Sequence, residues 1–377
     1  MKKTTTGKTK PQSAAGATAD FERWVARQVK VIPADLALKH RLMAEGPFPF
    51  LRATFYRWTQ LWPLLSPELA RAPRVLAVGD LHVENFGTWR DAEGRLVWGV
   101  NDFDEAWPAA YTTDLVRLLA SAYLAISEQQ LAISRREARG AIESGYRDAI
   151  SSGGAPLVLA EKHNWLRRIA TARSREPGRF WRNIECCRDY AGRLPQPVRD
   201  LLRGSMPLKR PNLAFKTRVA GIGSLGHPRV LGLASWQGAH IVREAKALTR
   251  PAWLWAAGSS QAVGASRRQQ TLIDRAVRNP DPHLHFRDGW VVRRLAPDCC
   301  HIELASLPQE RDEERLLYAM GWETANLHLG SAAALQALKR DLSARRGRWL
   351  HKAAKEMADA TRRDWKEWRR SRRSEKR

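Results

Sequence analysis

The sequence predicts an α+β protein built as two lobes, and three observations carry that expectation. The chain has 377 residues, more than one small core holds comfortably. Its texture changes in blocks: a mixed segment, helices, a β-rich segment, then helices again. Hydrophobic residues at 44% and charged residues at 27% lie near globular averages, which excludes a disordered, collagen-like or coiled-coil chain.

Residues 1–20 are rich in Lys, Thr, Gly, Ser and Ala, with too little apolar content to offset ordering entropy, so they read as a disordered leader. From Phe21 to Trp62 apolar residues recur at mixed helical spacing around a Pro and Phe cluster at Pro47–Phe50. Two short β-type runs follow, Arg74–Gly79 and Arg95–Val100, the second preceded by a turn signal at Asp91–Gly94. Helix is predicted from Asp114 to about Ala149, then over Leu157–Ala172 and Arg179–Tyr190, broken at Gly153–Pro156, Pro177 and Pro195. After Pro211 the pattern returns to strands at Phe215–Ala220, Arg229–Ala234, His240–Arg243 and Gly289–Leu295, and a last helical region runs from Glu313 to about Arg372. The expected organisation is a helical lobe over 21–205, a β-rich lobe over 206–300, and helices over 301–377 that return to the first lobe and end in a basic arm.

The apolar run Leu115–Ile126 is short and contains Arg117, so no membrane span is expected. The N-terminus lacks the apolar core of a secretory signal. Four cysteines in two adjacent pairs, Cys186–Cys187 and Cys299–Cys300, match no zinc or disulfide spacing, and together these features point to the cytoplasm. The net charge is +25, and the final 39 residues, with 16 basic and 6 acidic, supply +10 of it. Trp349, Trp365 and Trp368 lie within that basic arm. One reading is therefore a Trp-rich binding module for nucleic acid or an acidic partner.

The chemistry concentrates elsewhere. Gly79-Asp80-Leu81-His82-Val83-Glu84-Asn85-Phe86-Gly87 places a carboxylate at a strand end and a carboxamide five residues on. In phosphoryl transfer an Asp so placed deprotonates the acceptor hydroxyl, and the Asn lends its carbonyl oxygen to Mg²⁺. Asn101-Asp102-Phe103-Asp104-Glu105 follows the next strand, and an Asp at the tip of that strand could supply a ligand to the same cation. Taken singly, Asp80 and Asp102 read equally as turn and cap residues. Gly221-Ile222-Gly223-Ser224-Leu225-Gly226 is a G-x-G-x-x-G run. A dinucleotide fold needs a helix straight after it; here a β-hairpin pattern follows, which fits a flap over nucleotide phosphates. Its cationic partner is sought in Arg243, in Lys246, less well placed, or in Lys216 on the strand before the loop.

GDLHVENFG, VNDFDEA, TDLVRLLAS, KHRLMAEGPFPFLRA and VAGIGSLGHPRVLGL with VREA resemble the bacterial domain-of-unknown-function family 2252 over most of residues 38–330. That family looks like a relative of aminoglycoside phosphotransferases and other kinase-like enzymes. The resemblance implies a two-lobed protein-kinase-like fold and an ATP- and Mg²⁺-dependent phosphotransferase acting on an unidentified hydroxyl acceptor. By the same likeness Asp80 is the base, Asn85, Asp102 and Asp104 are metal ligands, and Gly221, Gly223, Ser224, Gly226, Arg243 and Lys216 hold the nucleotide. The order is that of a circular permutation: the catalytic-loop half comes first and the glycine-loop lobe second, while Tyr318–Leu329 resembles the helix that precedes a catalytic loop. The chain departs from the pattern in having Arg243 where the family carries Lys, and Gln269 and Gln270 where a Glu should pair with that cation. A pseudoenzyme that binds nucleotide without turnover stays open on that ground.

Overall fold

The computed structural model describes residues 12–159, 162–171, 176–208, 212–259, 265–299, 304 and 312–374. The first helix, α1 (Ala14–Ala26), begins inside the segment expected to be a leader, while residues 1–11 lie outside the described residues. Its start is physical: the Ser13 hydroxyl accepts from Gly16 N–H as an N-cap, and the small Ala14 and Ala17 are buried, Ala14 packing with Trp368. Proline opens both α2 (Pro33–Glu45) and α3 (Pro47–Ala53), where its missing N–H costs nothing, and α4 (Phe55–Leu65) follows.

The two β runs expected to bracket a loop do not pair with each other. β1 (Arg74–Ala77) pairs antiparallel with β4 (Trp107–Ala110), and β2 (Phe86–Arg90) forms a hairpin with β3 (Leu96–Val100) across the Asp91–Gly94 turn. α5 (Tyr111–Ser127) is buried along nearly its whole length, as an all-round apolar helix must be, and α6 (Arg135–Ser152) starts on a Ser134/Glu137 capping box. The helix expected from Leu157 begins instead as β5 (Leu157–Val158), which extends the β2–β3 pair by adding to β3, and among the described residues of that stretch only α7 (Asn164–Ala170) is helical. Pro156 and β-branched Val158 favour extended backbone at that point.

α8 (Pro177–Glu185) and α9 (Gln196–Gly204) belong by sequence position to the helical lobe, yet they cover the β-rich sheet. That sheet contains β6 (Ala214–Thr217), β7 (Arg229–Trp236) and β8 (Ala239–Ala247), then, after α10 (Ala252–Ala256) and α11 (Ala265–Arg275), β9 (His285–Arg287) and β10 (Trp290–Leu295). Its order is β6-β7-β8-β10-β9, all neighbours antiparallel. An antiparallel sheet with two apolar faces requires two covers: Ile184 of α8 packs on Leu231, Val242 and Leu295, and Val198 and Leu202 of α9 on Val230, Ala245 and Val292. α8 and α9 therefore pack with the sheet that follows them in sequence.

α12 (Glu313–Leu329), α13 (Leu335–Ala344) and α14 (Trp349–Ser374) return to the first lobe, α12 against α6 and α14 against α5. At the α6–α12 crossing, Gly145 and Gly321 let the backbones touch: a Cβ on either would collide with the carbonyl of Tyr318 or Ile142. One large core joins these helices to β1–β5. The whole is a mixed α+β protein, and no helix among the described residues is long and apolar enough to cross a membrane.

Candidate functional site

A cavity of about 700 Å³ lies between the β6–β10 sheet and the strand ends of the first lobe, with α2, α3 and α8 at its walls. Asp80, Asn85, Asp102, Asp104, Gly221, Gly223 and Ser224 all line it. Residues about 140 positions apart in sequence thus meet in one cleft.

Asp80 is placed by the exit of β1. The Asp114 carboxylate accepts from Val78 N–H at 2.7 Å and Gly79 N–H at 3.0 Å. It is itself held by His328 of α12, whose Nε2 lies 3.0 Å away, while His328 Nδ1 faces the Tyr146 hydroxyl at 2.8 Å. The Ser331 hydroxyl accepts from Leu76 N–H at 2.9 Å, so the end of α12 sits under β1. Gly79 has φ 86° and its Cα faces the Glu105 carbonyl so closely that no side chain fits. The Asp80 carboxylate pairs with Arg117, whose Nε lies 2.8 Å from Oδ1 and whose Nη2 also reaches it. Arg117 is buried, donates to Leu51 O at 2.9 Å, and lies over the Phe55 and Trp58 rings. Burial raises the Asp80 pKa, and Arg117 opposes the rise.

Asn85 ties the two acidic loops together. Its Oδ1 accepts from Asp102 N–H at 2.9 Å, and its Nδ2 donates to Asp80 O at 3.0 Å and Asp102 O at 3.1 Å. One lone pair of the amide oxygen is thus used on the backbone, a fastening role that the spacing alone does not indicate. His82 serves the same loop, Nδ1 accepting from Glu84 N–H at 3.2 Å. Asp102 and Asp104 converge on Lys246, whose Nζ lies 3.1 Å from Asp102 Oδ2 and 2.6 Å from Asp104 Oδ2. Burial, and then the adjacent Asp102, pushes Asp104 up to about 7, against the pull of Lys246. Burial likewise pushes Glu105 up to about 8, although its carboxylate accepts from Ala252 N–H at 2.7 Å.

The cation at these carboxylates is Lys246, not Arg243. Alternation along β8 decides it: Glu244 and Lys246 share the face that meets the acidic loop, and Arg243 points to the α9 side, donating to Ser205 O at 3.1 Å. Lys216 faces the cleft side but on the edge strand, where it is engaged by Asp189, Glu185 O and Cys187 O at 3.0, 3.1 and 3.0 Å. On α11, Gln269 occupies the neighbourhood of the acidic loop, its Nε2 3.4 Å from Asp104 O and its buried Oε1 without a hydrogen-bond partner.

The glycine run forms a turn over this floor. Gly223 approaches Asp80 and Arg52 closely enough that a Cβ on it would stand 3.8 Å from Asp80 Oδ2 and 3.1 Å from Arg52 O. Buried Lys39 of α2 donates to Gly223 O at 3.0 Å, and Gly226 O accepts from Ile32 N–H at 2.9 Å, so α2 carries the turn. Sequence patterning does not single out Lys39, Arg117 or Glu105 as parts of the site. The one signal is Arg117, a charge inside an apolar run, which implies a buried partner.

The basic arm is folded onto the body as α14. Trp368 is buried, its Nε1 3.4 Å from His40 O, and Trp365 Nε1 lies 3.3 Å from Ala44 O, so both rings are used in packing rather than presented for base stacking.

A family model described as an uncharacterized protein conserved in bacteria, DUF2252, matches residues 30–182 and 182–371. The chain belongs to that family. The two matched stretches meet within α8. No curated protein and no solved structure matches it.

Proposed function

We propose that this DUF2252 protein is a kinase-like phosphotransferase in circularly permuted order, taking ATP and Mg²⁺ and an unidentified hydroxyl acceptor. The observation that carries the reading is the meeting of Lys246 with Asp102 and Asp104 beneath the Gly221–Gly226 turn, beside Asp80. In kinases the corresponding parts are a glycine loop over the phosphates, a Lys on the third strand of the small sheet, an Asp that holds Mg²⁺ and a catalytic-loop Asp. β8 is the third strand of this sheet in chain order.

The donor set fits the cation. Mg²⁺ takes one or two carboxylates and completes its shell with water and phosphate oxygens. Asp102 and Asp104 are the two carboxylates, and among the described residues no group of three or more His, Cys, Asp or Glu is arranged to hold a metal without such outside ligands. Bound Mg²⁺·ATP would supply the transferable phosphoryl group with its charge partly neutralised. Lys246 and the glycine turn would hold the phosphate oxygens, and Asp80 would accept the proton of an acceptor hydroxyl. Arg117 keeps the buried Asp80 carboxylate oriented.

A second reading, nucleotide binding without transfer, draws on two features: Asp80 is already paired with Arg117, and Gln269 stands where a Glu would pair with the lysine. Thermal unfolding with ATP, with and without Mg²⁺, tests both. A ligand that binds only the native state raises Tm by mass action. Asp102→Ala should abolish the Mg²⁺-dependent part of the rise, and Asp80→Ala should keep it while removing turnover. A rise without turnover in the wild type selects the second reading; no rise rejects both.

A further inference from the structure

The roof of the cleft holds charges that the phosphotransferase reading does not use. Glu244 is fully buried on the cleft face of β8 and is surrounded by three arginines. Arg218 Nη1 lies 2.6 Å from Oε2; Arg229 Nη1 at 3.0 Å, Arg293 Nε at 3.0 Å and Arg293 Nη2 at 2.9 Å all reach Oε1. These donors lower the Glu244 pKa well below the usual carboxylate range despite its burial. Strand pairing puts them on one face: Arg218 N–H reaches Arg229 O, Arg229 is registered with Lys246, and Arg293 with Glu244.

Neutralising one carboxylate takes one guanidinium, which can do so bidentately. Counted with Lys246, Asp102 and Asp104, four cations face three carboxylates at the cavity wall, a surplus of one positive charge, which mutual repulsion makes costly. Asp102 and Asp104 also act on Arg293, but Lys246 lies between them and takes up part of their charge. Arg229, with 3% of its side chain exposed, has a buried Nε without a partner, and Arg218 remains 31% exposed towards the cavity. The surplus is complementary to an oxyanion with several acceptor oxygens. Arg229 Nη2 further holds the Ser224 hydroxyl at 2.6 Å, which ties this cluster to the glycine turn.

We propose that Arg218, Arg229 and Arg293 form an anion subsite for a phosphate-class group of the ligand, separate from the phosphates that Asp102, Asp104 and Lys246 would engage. The subsite is independent of phosphoryl transfer, since it needs neither metal nor Asp80. Its source is a second phosphate on the nucleotide or the phosphate of a phosphorylated acceptor.

The test is titration calorimetry of the full chain with inorganic pyrophosphate in excess EDTA. The wild type should give saturable binding, and Arg218→Ala should weaken it about tenfold, the loss of one charge-assisted contact. Arg218 is partly exposed, and an unchanged unfolding curve for the variant shows that its fold is kept. Glu244→Gln removes the competing carboxylate and should tighten binding, while Asp102→Asn should not weaken it. Repeating the Arg218→Ala comparison with adenosine 2′,5′-bisphosphate and with ribose 5-phosphate identifies the source, by which of the two loses affinity. No saturable binding by wild type up to about 10 mM, or equal affinity in wild type and Arg218→Ala, overturns the subsite. Pyrophosphate binding that depends on Arg218 in a protein that does not bind Mg²⁺·ATP supports the subsite and rejects the phosphotransferase.

Discussion

Replacing Arg117 by Met leaves the Asp80 carboxyl buried without its counter-ion, and the cost can be worked from the geometry. The guanidinium is 1% exposed, contacts Asp80 through two nitrogens, donates to Leu51 O and lies 4.8 and 4.9 Å from the Phe55 and Trp58 rings. Breaking a buried pair by removing one partner costs about 3–5 kcal/mol. The orphaned Asp80 can take up a proton instead of staying charged, which holds the loss to about 3 kcal/mol. Methionine fills much of the vacated volume but forfeits the ring contacts, which are worth about 1 kcal/mol. In an Asp80→Asn background only that second part is lost, so the coupling energy should be about 3 kcal/mol. Urea unfolding of the wild type, both single variants and the double variant measures it. Additivity within about 0.5 kcal/mol would mean that the pair does not hold Asp80, and the reasoning would fail.

Other outcomes follow from the same structure. Asp104 has an ordinary value of 3.8 and a folded value of about 7, so between these the native state keeps a proton that the unfolded chain has released. Its contribution to stability is present below about pH 4 and is lost as pH rises towards 7; Asp104→Asn should flatten that part of a Tm–pH curve. Glu105→Gln should do the same up to about pH 8, its folded value. Gly321→Ala, which drives a methyl into the Ile142 carbonyl, should cost more than about 2 kcal/mol in urea unfolding. Trp368→Ala should cost about 3 kcal/mol by the same assay and leave any nucleic-acid retention at low salt unchanged, because the ring is packed and not presented.

The sequence is legible where one local rule decides. α5 and α12 follow from apolar patterning, and the β7–β8 hairpin from Gln237–Gly238, whose φ values of 46° and 83° suit a two-residue turn. It is less legible where a choice depends on which face another element covers. Alternation puts Arg243 and Lys246 on opposite faces of β8, but only the packing of α9 on Ala245 and Val230 decides which of them meets Asp102. Asn85 shows the same limit: five residues after Asp80 is the spacing of a ligand, yet the amide fastens two backbones, which depends on β2 and β3 being paired. The start of α1 is hidden because its low apolar content suffices only with the distant Trp368 to pack upon.

The most direct test of the central claim is the electron paramagnetic resonance signal of free Mn²⁺, used in place of Mg²⁺, titrated into the full chain with a non-hydrolysable ATP analogue. With the nucleotide present, the wild type should deplete the free Mn²⁺ signal beyond the level set by nucleotide alone. Asp102→Ala should leave the signal at the level of nucleotide alone, and Lys246→Met should weaken nucleotide binding. Equal depletion by wild type and Asp102→Ala would contradict the placement of metal and nucleotide in this cleft.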